Sequence, residues 1–444
     1  MVLQLSQMKF FDKINETDNL LKKGPSTEKV LSRMKELTQD DGIHNYFFEK
    51  LESPEWIEPL KAKGFFVNPP KPVHDEARGT IGFPPWPESH YLARMAALAP
   101  EQVLEVILQI PDTENVRVYE DLTNAALKMP PQLSARLVEK AKILAQAPYQ
   151  TLLPEKLGSL VAHLAKGGQV KAALDLAQVL LEILPDPQVK DEPEEEKKYS
   201  LPPEPKARFD SRHYEQILKK NFPELIKVAG IDALKLLCDK LETYVRLSRS
   251  RKDDQSPEDY SYIWRPAIEE HEQNRGHGIN HALVKAVRDA AEQVAQFDLS
   301  KVPEIVQILE GHSWKIFKRI ALHVLRRFWN AAPGLGAERL INREMFNDTC
   351  IRHEYALLIG EHFSNLSPEQ QETILDWIEW GPDLEHFKKG QEQISGKRPT
   401  DDELAQYRKG WQCIRLSWFK NHLPEDWKKR YEEIVAKYGE PEQP

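Results

Sequence analysis

The residues best suited to chemistry lie in one segment, residues 261–290. Three of the chain's 14 histidines, His271, His277 and His281, fall within eleven residues there, and Glu270 directly precedes the first of them. Imidazole and carboxylate groups are ligands that zinc prefers in proteins. These four residues therefore predict a metal site, and a metal-dependent hydrolase with Glu270 as the general base is one interpretation of the chain.

The spacing of these histidines differs from that of a metalloprotease helix. That motif reads His-Glu-x-x-His, whereas Arg275 occupies the position where a second histidine would follow His271. Two nearby glycines also disfavour a continuous helix through the other two histidines. The competing interpretation is a structural corner in which Trp264 packs, Arg265 bonds backbone carbonyls and the histidines are partly solvated.

A second group of residues could bind a partner without catalysing a reaction. Four basic residues between positions 315 and 326 recur at helical spacing and form a basic stripe opposite an apolar face. Such a stripe could contact nucleic-acid phosphates or an acidic protein, and the alternative is a solvated face offset by nearby carboxylates. Our candidates for partner binding are Trp264, Arg265, Lys315, Lys318, Arg319 and Arg326.

The sequence lacks the standard motifs for nucleotides and activated nucleophiles. Residues 390–397 superficially resemble a phosphate-binding loop, but five residues rather than four separate Gly390 from Gly396. Arg398 also replaces the Ser or Thr that would hold magnesium. No dinucleotide fingerprint follows a predicted strand, and no G-x-S-x-G elbow is present. We therefore predict a protein that is not an enzyme and that uses no cofactor.

The elements that must position these residues are helices. Pro-Glu pairs recur, for example at 54–55 and 154–155. Proline in the first helical turn loses no hydrogen bond, and the glutamate after it meets the positive end of the helix dipole. Apolar residues then follow at helical spacing, as at Leu157, Leu160 and Leu164. Because alternating strand patterns are almost absent, we predict an all-α fold.

The helices are predicted to stack in sequence order. Short turns between them favour an α-solenoid of antiparallel helix pairs, with an irregular helical bundle as the alternative. Residues 154–184 resemble a tetratricopeptide-type hairpin, and residues 312–329 resemble the second helix of a HEAT-type repeat. We place an N-terminal helical array at 1–185 with an irregular loop at 64–86, an acidic proline-rich linker at 186–207, and a C-terminal helical array at 208–444.

Composition limits the classes of protein to which the chain can belong. The 444 residues carry 61 Lys and Arg against 70 Asp and Glu, for a net charge of −9, and 40% are hydrophobic. This composition is typical of a globular protein, and the net charge is unlike that of a dedicated nucleic-acid binder. No apolar stretch is long enough to span a membrane, and three cysteines cannot build a disulfide framework. We therefore expect a cytoplasmic protein without a membrane partner.

Three segments carry a family resemblance: residues 82–96, 261–274 and 423–442. They resemble helical regions of large, uncharacterised bacterial proteins in which a helical array is joined to an ATPase module, sometimes in phage defence. Since this chain has no phosphate-binding loop, the resemblance implies a recognition or scaffold part whose ATPase lies elsewhere. Our leading hypothesis is a non-enzymatic helical-repeat module that binds a protein partner, with nucleic acid as an alternative. The sequence leaves the oligomeric state open.

Overall fold

The structure, a computed structural model, describes residues 2–187, 203–249, 259–274 and 276–441. It is helical over most of that length, and the described strands are four short ones, which confirms the all-α fold class. The chain forms two compact units. The first contains the residues up to Pro185 together with Pro205–Ala233, and the second begins at Leu234 apart from a short piece before Pro205.

The first unit consists of short helices joined by tight connections. Its α-helices are α1 (Val2–Lys23), α2 (Glu28–Leu37), α3 (Asp41–Lys50), α4 (Ile57–Ala62), α5 (Pro87–Met95), α6 (Pro100–Gln109), α7 (Val116–Lys128), α8 (Pro131–Ser134), α9 (Val138–Leu144), α10 (Leu153–Lys166), α11 (Val170–Leu180), α12 (Ser211–Lys220) and α13 (Phe222–Ala229). Single 3-10 turns lie at Pro54–Trp56, Phe65–Val67 and Ala135–Leu137. Strand β1 (Val73–Asp75) pairs antiparallel with β2 (Thr80–Gly82), and β3 (Ile183–Leu184) pairs antiparallel with β4 (Lys206–Ala207).

Helix α10 lies at the centre of the first unit, where it packs against α7, α11, α12 and α13. Leu157, Leu160 and Leu164, which the sequence places on one helix face, are all buried. Gly158 permits close approach, since a Cβ atom there would lie 2.7 Å from the side-chain oxygen of Asn221. The helices of 205–233 thus belong with the N-terminal array, whereas the sequence predicts that a separate array begins at residue 208.

The chain returns to the first unit beside the point where it left. Most of the predicted acidic linker, residues 188–202, lies outside the described residues. On either side of it, Ile183 pairs with Ala207 across the short β3–β4 ladder. The Arg208 guanidinium also donates a hydrogen bond to the Glu182 carboxylate. These contacts hold the two flanking backbone segments side by side.

The predicted loop at 64–86 is more ordered than its composition indicates. It contains the β1–β2 hairpin, and Phe66 and Trp86 at its two ends are buried. The Asn115 side-chain amide donates hydrogen bonds to the carbonyl oxygens of Pro70 and Pro84, at 3.2 and 2.8 Å. A single fully buried side chain therefore ties together the two ends of the hairpin.

The second unit is built from the remaining helices. They are α14 (Ile231–Leu247, which starts within the first unit), α15 (Ser261–Trp264), α16 (Ile279–Phe297), α17 (Val302–Glu310), α18 (Lys315–Arg327), α19 (Pro333–Leu340), α20 (Arg343–Asn347), α21 (Arg352–His362), α22 (Pro368–Trp380), α23 (Leu384–Ser395), α24 (Asp401–Ser417) and α25 (Glu425–Tyr438). Single 3-10 turns lie at Leu299–Lys301, Trp329–Ala331, Thr349–Ile351, Phe363–Asn365 and Lys420–His422.

Helix α18 is the core of the second unit and packs against α16, α17, α19 and α21. Ile316, Phe317, Ile320 and Val324 are each completely buried. The solenoid arrangement and the HEAT or tetratricopeptide type of the helix pairs stay predictions. Among the described helices, none combines the length and the apolar character that a membrane crossing needs.

The predicted helix-start signals are present in the structure. Helix α22 begins with Pro368 and Glu369 after Ser367, whose hydroxyl accepts a hydrogen bond from the Gln370 backbone N–H. The Gln370 side chain accepts in return from the Ser367 backbone N–H, which completes a capping box. Proline likewise occupies the first turn of α5, α6, α10 and α17. Prolines in the first turn and the capping residues before them thus mark where many of the helices begin.

Candidate functional site

Asp259 anchors the segment that the sequence singles out for chemistry. One oxygen of this buried carboxylate accepts a hydrogen bond from the Ser261 backbone N–H at 2.9 Å, and the other accepts from the Ile316 N–H at 2.7 Å. Ile316 lies in the first turn of α18, where an anion suits the helix dipole. The Asp259 carbonyl also accepts a bond from the Trp264 indole. The start of the segment is therefore fixed to the core helix.

Three buried guanidinium groups bind the backbone that follows. Arg319 donates to the Pro266 carbonyl at 2.9 Å, Arg288 donates to the Ile268 carbonyl at 2.9 Å, and Arg265 reaches the same carbonyl at 3.4 Å. Burial lowers the pKa of Arg265, and repulsion from the other two arginines adds to that effect. Peptide carbonyls are thus satisfied by cations within the protein interior, as the structural-corner interpretation expects for Arg265.

Glu354 on α21 neutralises this cluster. Its two oxygens bind Nε and Nη2 of Arg319 at 2.7 and 2.8 Å, and both side chains are 1% exposed. One oxygen also accepts the Ile268 backbone N–H at 3.1 Å. We call Arg265, Arg288, Arg319 and Glu354 the arginine–glutamate network. A buried pair of this kind is costly to break, because removal of one partner leaves the other charge uncompensated.

The basic stripe predicted on α18 is not a solvent-exposed surface. Arg319 faces the protein interior, Lys315 binds Asp348, and Nε of Arg326 lies 3.8 Å from the Glu361 carboxylate. Arg319 is buried, so the prediction that it contacts a partner is wrong. Arg265 is buried as well, and the same prediction is wrong for that residue. The reason is that other helices cover the apolar face of α18, and carboxylates pair with Lys315, Arg319 and Arg326. Lys318 and Trp264 are partly exposed.

The residues of the predicted metal site do not converge. In the described part of the chain, no three of the ligand atoms of Glu270, His271, His277 and His281 lie within 4.8 Å of one another. Glu270 instead binds Lys285 and Arg288, and these hydrogen bonds lower its pKa to about 2, which suits a permanent anion better than a general base near neutral pH. His281 packs edge-on against Trp264, and the other two histidines are exposed.

A carboxylate–imidazole chain that no sequence motif indicates lies beside this network. Glu292 on α16 contacts Nε2 of His323 on α18 at 2.6 Å, and Nε2 of His353 on α21 contacts Glu269 at 2.8 Å. His323 Nδ1 and Glu269 Oε2 lie 4.0 Å apart and connect the two pairs. Burial alone would raise the pKa of Glu269, but the hydrogen bond from His353 lowers it to about 2. The available signal was a histidine within the apolar run of α18.

One polar cleft of the first unit is open, and the residues described around it include no hydroxyl or thiol nucleophile. It has a volume of about 390 Å³ and is lined by Trp86, His90 and Asp121, among others. His90 Nδ1 lies 3.7 Å from Asp121, whose pKa is raised by burial. The neighbouring Ser89 is fully buried, and its hydroxyl is bonded to Asp121 and to the Trp86 carbonyl. The arrangement contains an acid and an imidazole but no exposed hydroxyl to activate.

An apolar turn projects from the anchored segment of the second unit. Tyr260, Tyr262 and Ile263 are exposed, Ile263 to 64%. Tyr260 has φ = +50°, and among the described residues it is the one non-glycine residue with positive φ. Such a conformation costs of order 1–3 kcal/mol and persists where its surroundings impose it. Asp259 and the arginine–glutamate network supply those surroundings.

Comparison of the chain with protein-family models, with curated proteins and with solved structures gave no match.

Proposed function

We propose that this protein is a non-enzymatic helical module that binds another protein through the apolar turn, residues 260–263. The observation that carries the proposal is the exposure of two tyrosines and an isoleucine on a strained turn that buried charges hold in place. Tyrosine is enriched among residues that dominate binding energy, and its ring supplies contact area with little loss of rotamer freedom.

Rigidity supports this role. A loop that must be ordered on binding loses part of its interaction energy, whereas a preorganised one keeps it. The backbone on either side of Ile263 is bonded to Asp259 and to Arg265, and both of these side chains are buried. Half-exposed Trp264 adds an aromatic surface beside the turn.

Charge favours a protein over nucleic acid as the partner. Two cations of the predicted stripe are already compensated: Arg319 by Glu354, and Lys315 by Asp348. A surface without excess positive charge gains little from phosphate neutralisation, and the net charge of −9 opposes association with a polyanion. Lys318 keeps partial exposure, as do Lys315 and Arg326 of the stripe.

We further propose that the module is the recognition or scaffold part of a larger cytoplasmic assembly in a bacterium. The resemblance of three segments to helical arrays joined to ATPase modules supports this role. An ATPase activity would then belong to another chain.

The test compares affinity capture by the 444-residue chain and two variants. Ile263→Asp places a charge on the apolar turn, and Ile394→Asp is the matched control on α23, where the isoleucine is 84% exposed. We expect one protein to be retained by the wild type and by I394D but to be lost with I263D, at unchanged melting temperature. Equal retention by both variants would contradict the proposal, and a retained species sensitive to nuclease would support nucleic acid instead.

A further inference from the structure

A groove runs along α24 and α25 in the second unit and reaches the C-terminal end of α22. Its volume of about 680 Å³ is within the range of sites that take ligands. The α24 residues that line it recur at helical spacing from Ala405 through Gln412 to Leu416, so they share one face and extend over about 16 Å. Residues of α25, which packs against α24, line the rest.

Cations outnumber carboxylates in this groove although the chain is acidic overall. Four cations line it against two carboxylates, whereas the net charge of the chain is −9. Arg430 is paired with Glu379, and Arg408 donates to the backbone carbonyl of Glu379 at 2.6 Å. Lys409 and Lys437 are exposed, and neither has a carboxylate partner within the described ranges. The groove therefore has positive charge that the protein itself leaves uncompensated.

The aromatic rings of the groove are partly covered by cations. The Arg430 guanidinium lies 4.8 Å from the centre of the Trp427 ring, and the Lys437 ammonium lies 5.0 Å from the centre of the Tyr438 ring. With one face of each ring occupied, little surface is left for the stacking of successive bases that single-stranded nucleic acids need. The exposed carboxylate of Glu433 would also repel phosphate groups.

We propose that this groove binds an acidic segment of a protein partner, with apolar side chains against Ala405 and Leu416 and carboxylates beside Lys409 and Lys437. Opposite charges steer such a segment to the groove and fix its orientation, and the apolar contacts add to its affinity. The groove is built from elements other than those of the apolar turn. It is therefore a second contact surface that does not depend on the first.

Fluorescence anisotropy of labelled peptides measures binding to the 444-residue chain. The probe is a peptide of about 11 residues, which as a helix covers about 16 Å, with Leu at every third or fourth position among Glu residues. Two comparison peptides carry Lys in place of each Glu or Ser in place of each Leu. We expect the Glu–Leu peptide to bind at least about tenfold more tightly than either, with an affinity that falls as the salt concentration rises.

Paired variants locate the binding on the protein. Lys409→Glu with Lys437→Glu reverses the two uncompensated charges and should weaken binding of the Glu–Leu peptide at least about tenfold. Lys428→Glu with Lys429→Glu is the matched control, because it changes the net charge equally at exposed positions of α25 that do not line the groove. Its affinity should stay close to that of the wild type. Ala405→Phe narrows the groove without a change of charge and should also weaken binding.

Three results would overturn the proposal. They are an absence of binding of the Glu–Leu peptide by the wild type, an affinity of K409E/K437E no lower than that of K428E/K429E, and tighter binding of a single-stranded oligonucleotide than of the peptide. Should K409E/K437E fail to fold, A405F decides, because unchanged affinity in that variant would refute the groove. I263D should bind the peptide as the wild type does, so this inference and the proposed function can fail separately.

Discussion

Glu354→Gln tests the arginine–glutamate network, because it removes one charge while keeping a similar shape. In the wild type, Nε of Arg319 and Oε2 of Glu354 are 2.7 Å apart and both side chains are 1% exposed. At an effective dielectric constant of about 20, unit charges about 4 Å apart attract by about 4 kcal/mol. Removal of one partner from a buried pair costs about 3–5 kcal/mol, since the remaining charge stays buried without compensation. We expect E354Q to lose stability in that range.

The second unit contains a matched control for this variant. Nη1 of Arg430 and Oε2 of Glu379 are also 2.7 Å apart, but their side chains are 53% and 54% exposed. Exposed pairs contribute about 0–1 kcal/mol, because solvent screens them and their side chains lose entropy. Glu379→Gln should therefore change the free energy of unfolding by less than about 1 kcal/mol.

Urea denaturation of the 444-residue chain and of both variants, followed by circular dichroism, measures the two losses. The two pairs have the same separation and differ in burial. The two losses of unfolding free energy should therefore differ by at least about 2 kcal/mol. The double variant Arg319→Met with Glu354→Leu should recover only part of the loss, because it removes both buried charges but also the partners of the Ile268 N–H and the Pro266 carbonyl. A loss below about 1 kcal/mol for E354Q would refute the reasoning, since the network would then not hold the segment.

Three further variants probe packing and pH dependence. Gly360→Ala should lower the free energy of unfolding by about 1–3 kcal/mol, because its Cβ would lie 2.6 Å from the Trp418 carbonyl oxygen. Gly410→Ala, with no atom within 4 Å, should raise it by about 0.5–1 kcal/mol in urea denaturation, and equal effects would contradict this account. Burial opposes protonation of His44, but Glu88 at 3.0 Å raises its pKa overall. A raised histidine pKa stabilises the fold at low pH, and this contribution disappears as the pH rises through the folded-state value. His44→Gln should thus lower the melting temperature more at pH 5 than at pH 9, and a uniform decrease would exclude the pair as its cause.

Local signals in the sequence predict where helices lie but not which of their faces are buried. Pro368 and Ser367 marked the start of α22 because capping and first-turn chemistry depend on neighbouring residues alone. The helical pattern of α18 was equally clear. A helical projection predicts a solvent-exposed basic face, because it cannot show that another helix, α21, brings Glu354 against Arg319.

The carboxylate–imidazole chain could not be found by motif. Its members stand at positions 269, 292, 323 and 353, on one connecting segment and three helices. No spacing rule links residues so far apart, and their approach follows from the packing of α16, α18 and α21. The sequence predicts a metal site at 271–281 because the three histidines there are close in sequence. In the structure, polar groups close in space come from distant parts of the chain.

The most direct test of the binding role is site-specific photocrosslinking in cells. A photoreactive phenylalanine analogue would replace Ile263 on the apolar turn or, as a control, the more exposed Ile394. The account predicts one discrete protein adduct from position 263, absent from position 394 and resistant to nuclease. Adducts that are the same from both positions, or none from position 263, would contradict the claim that this turn exists to bind another protein.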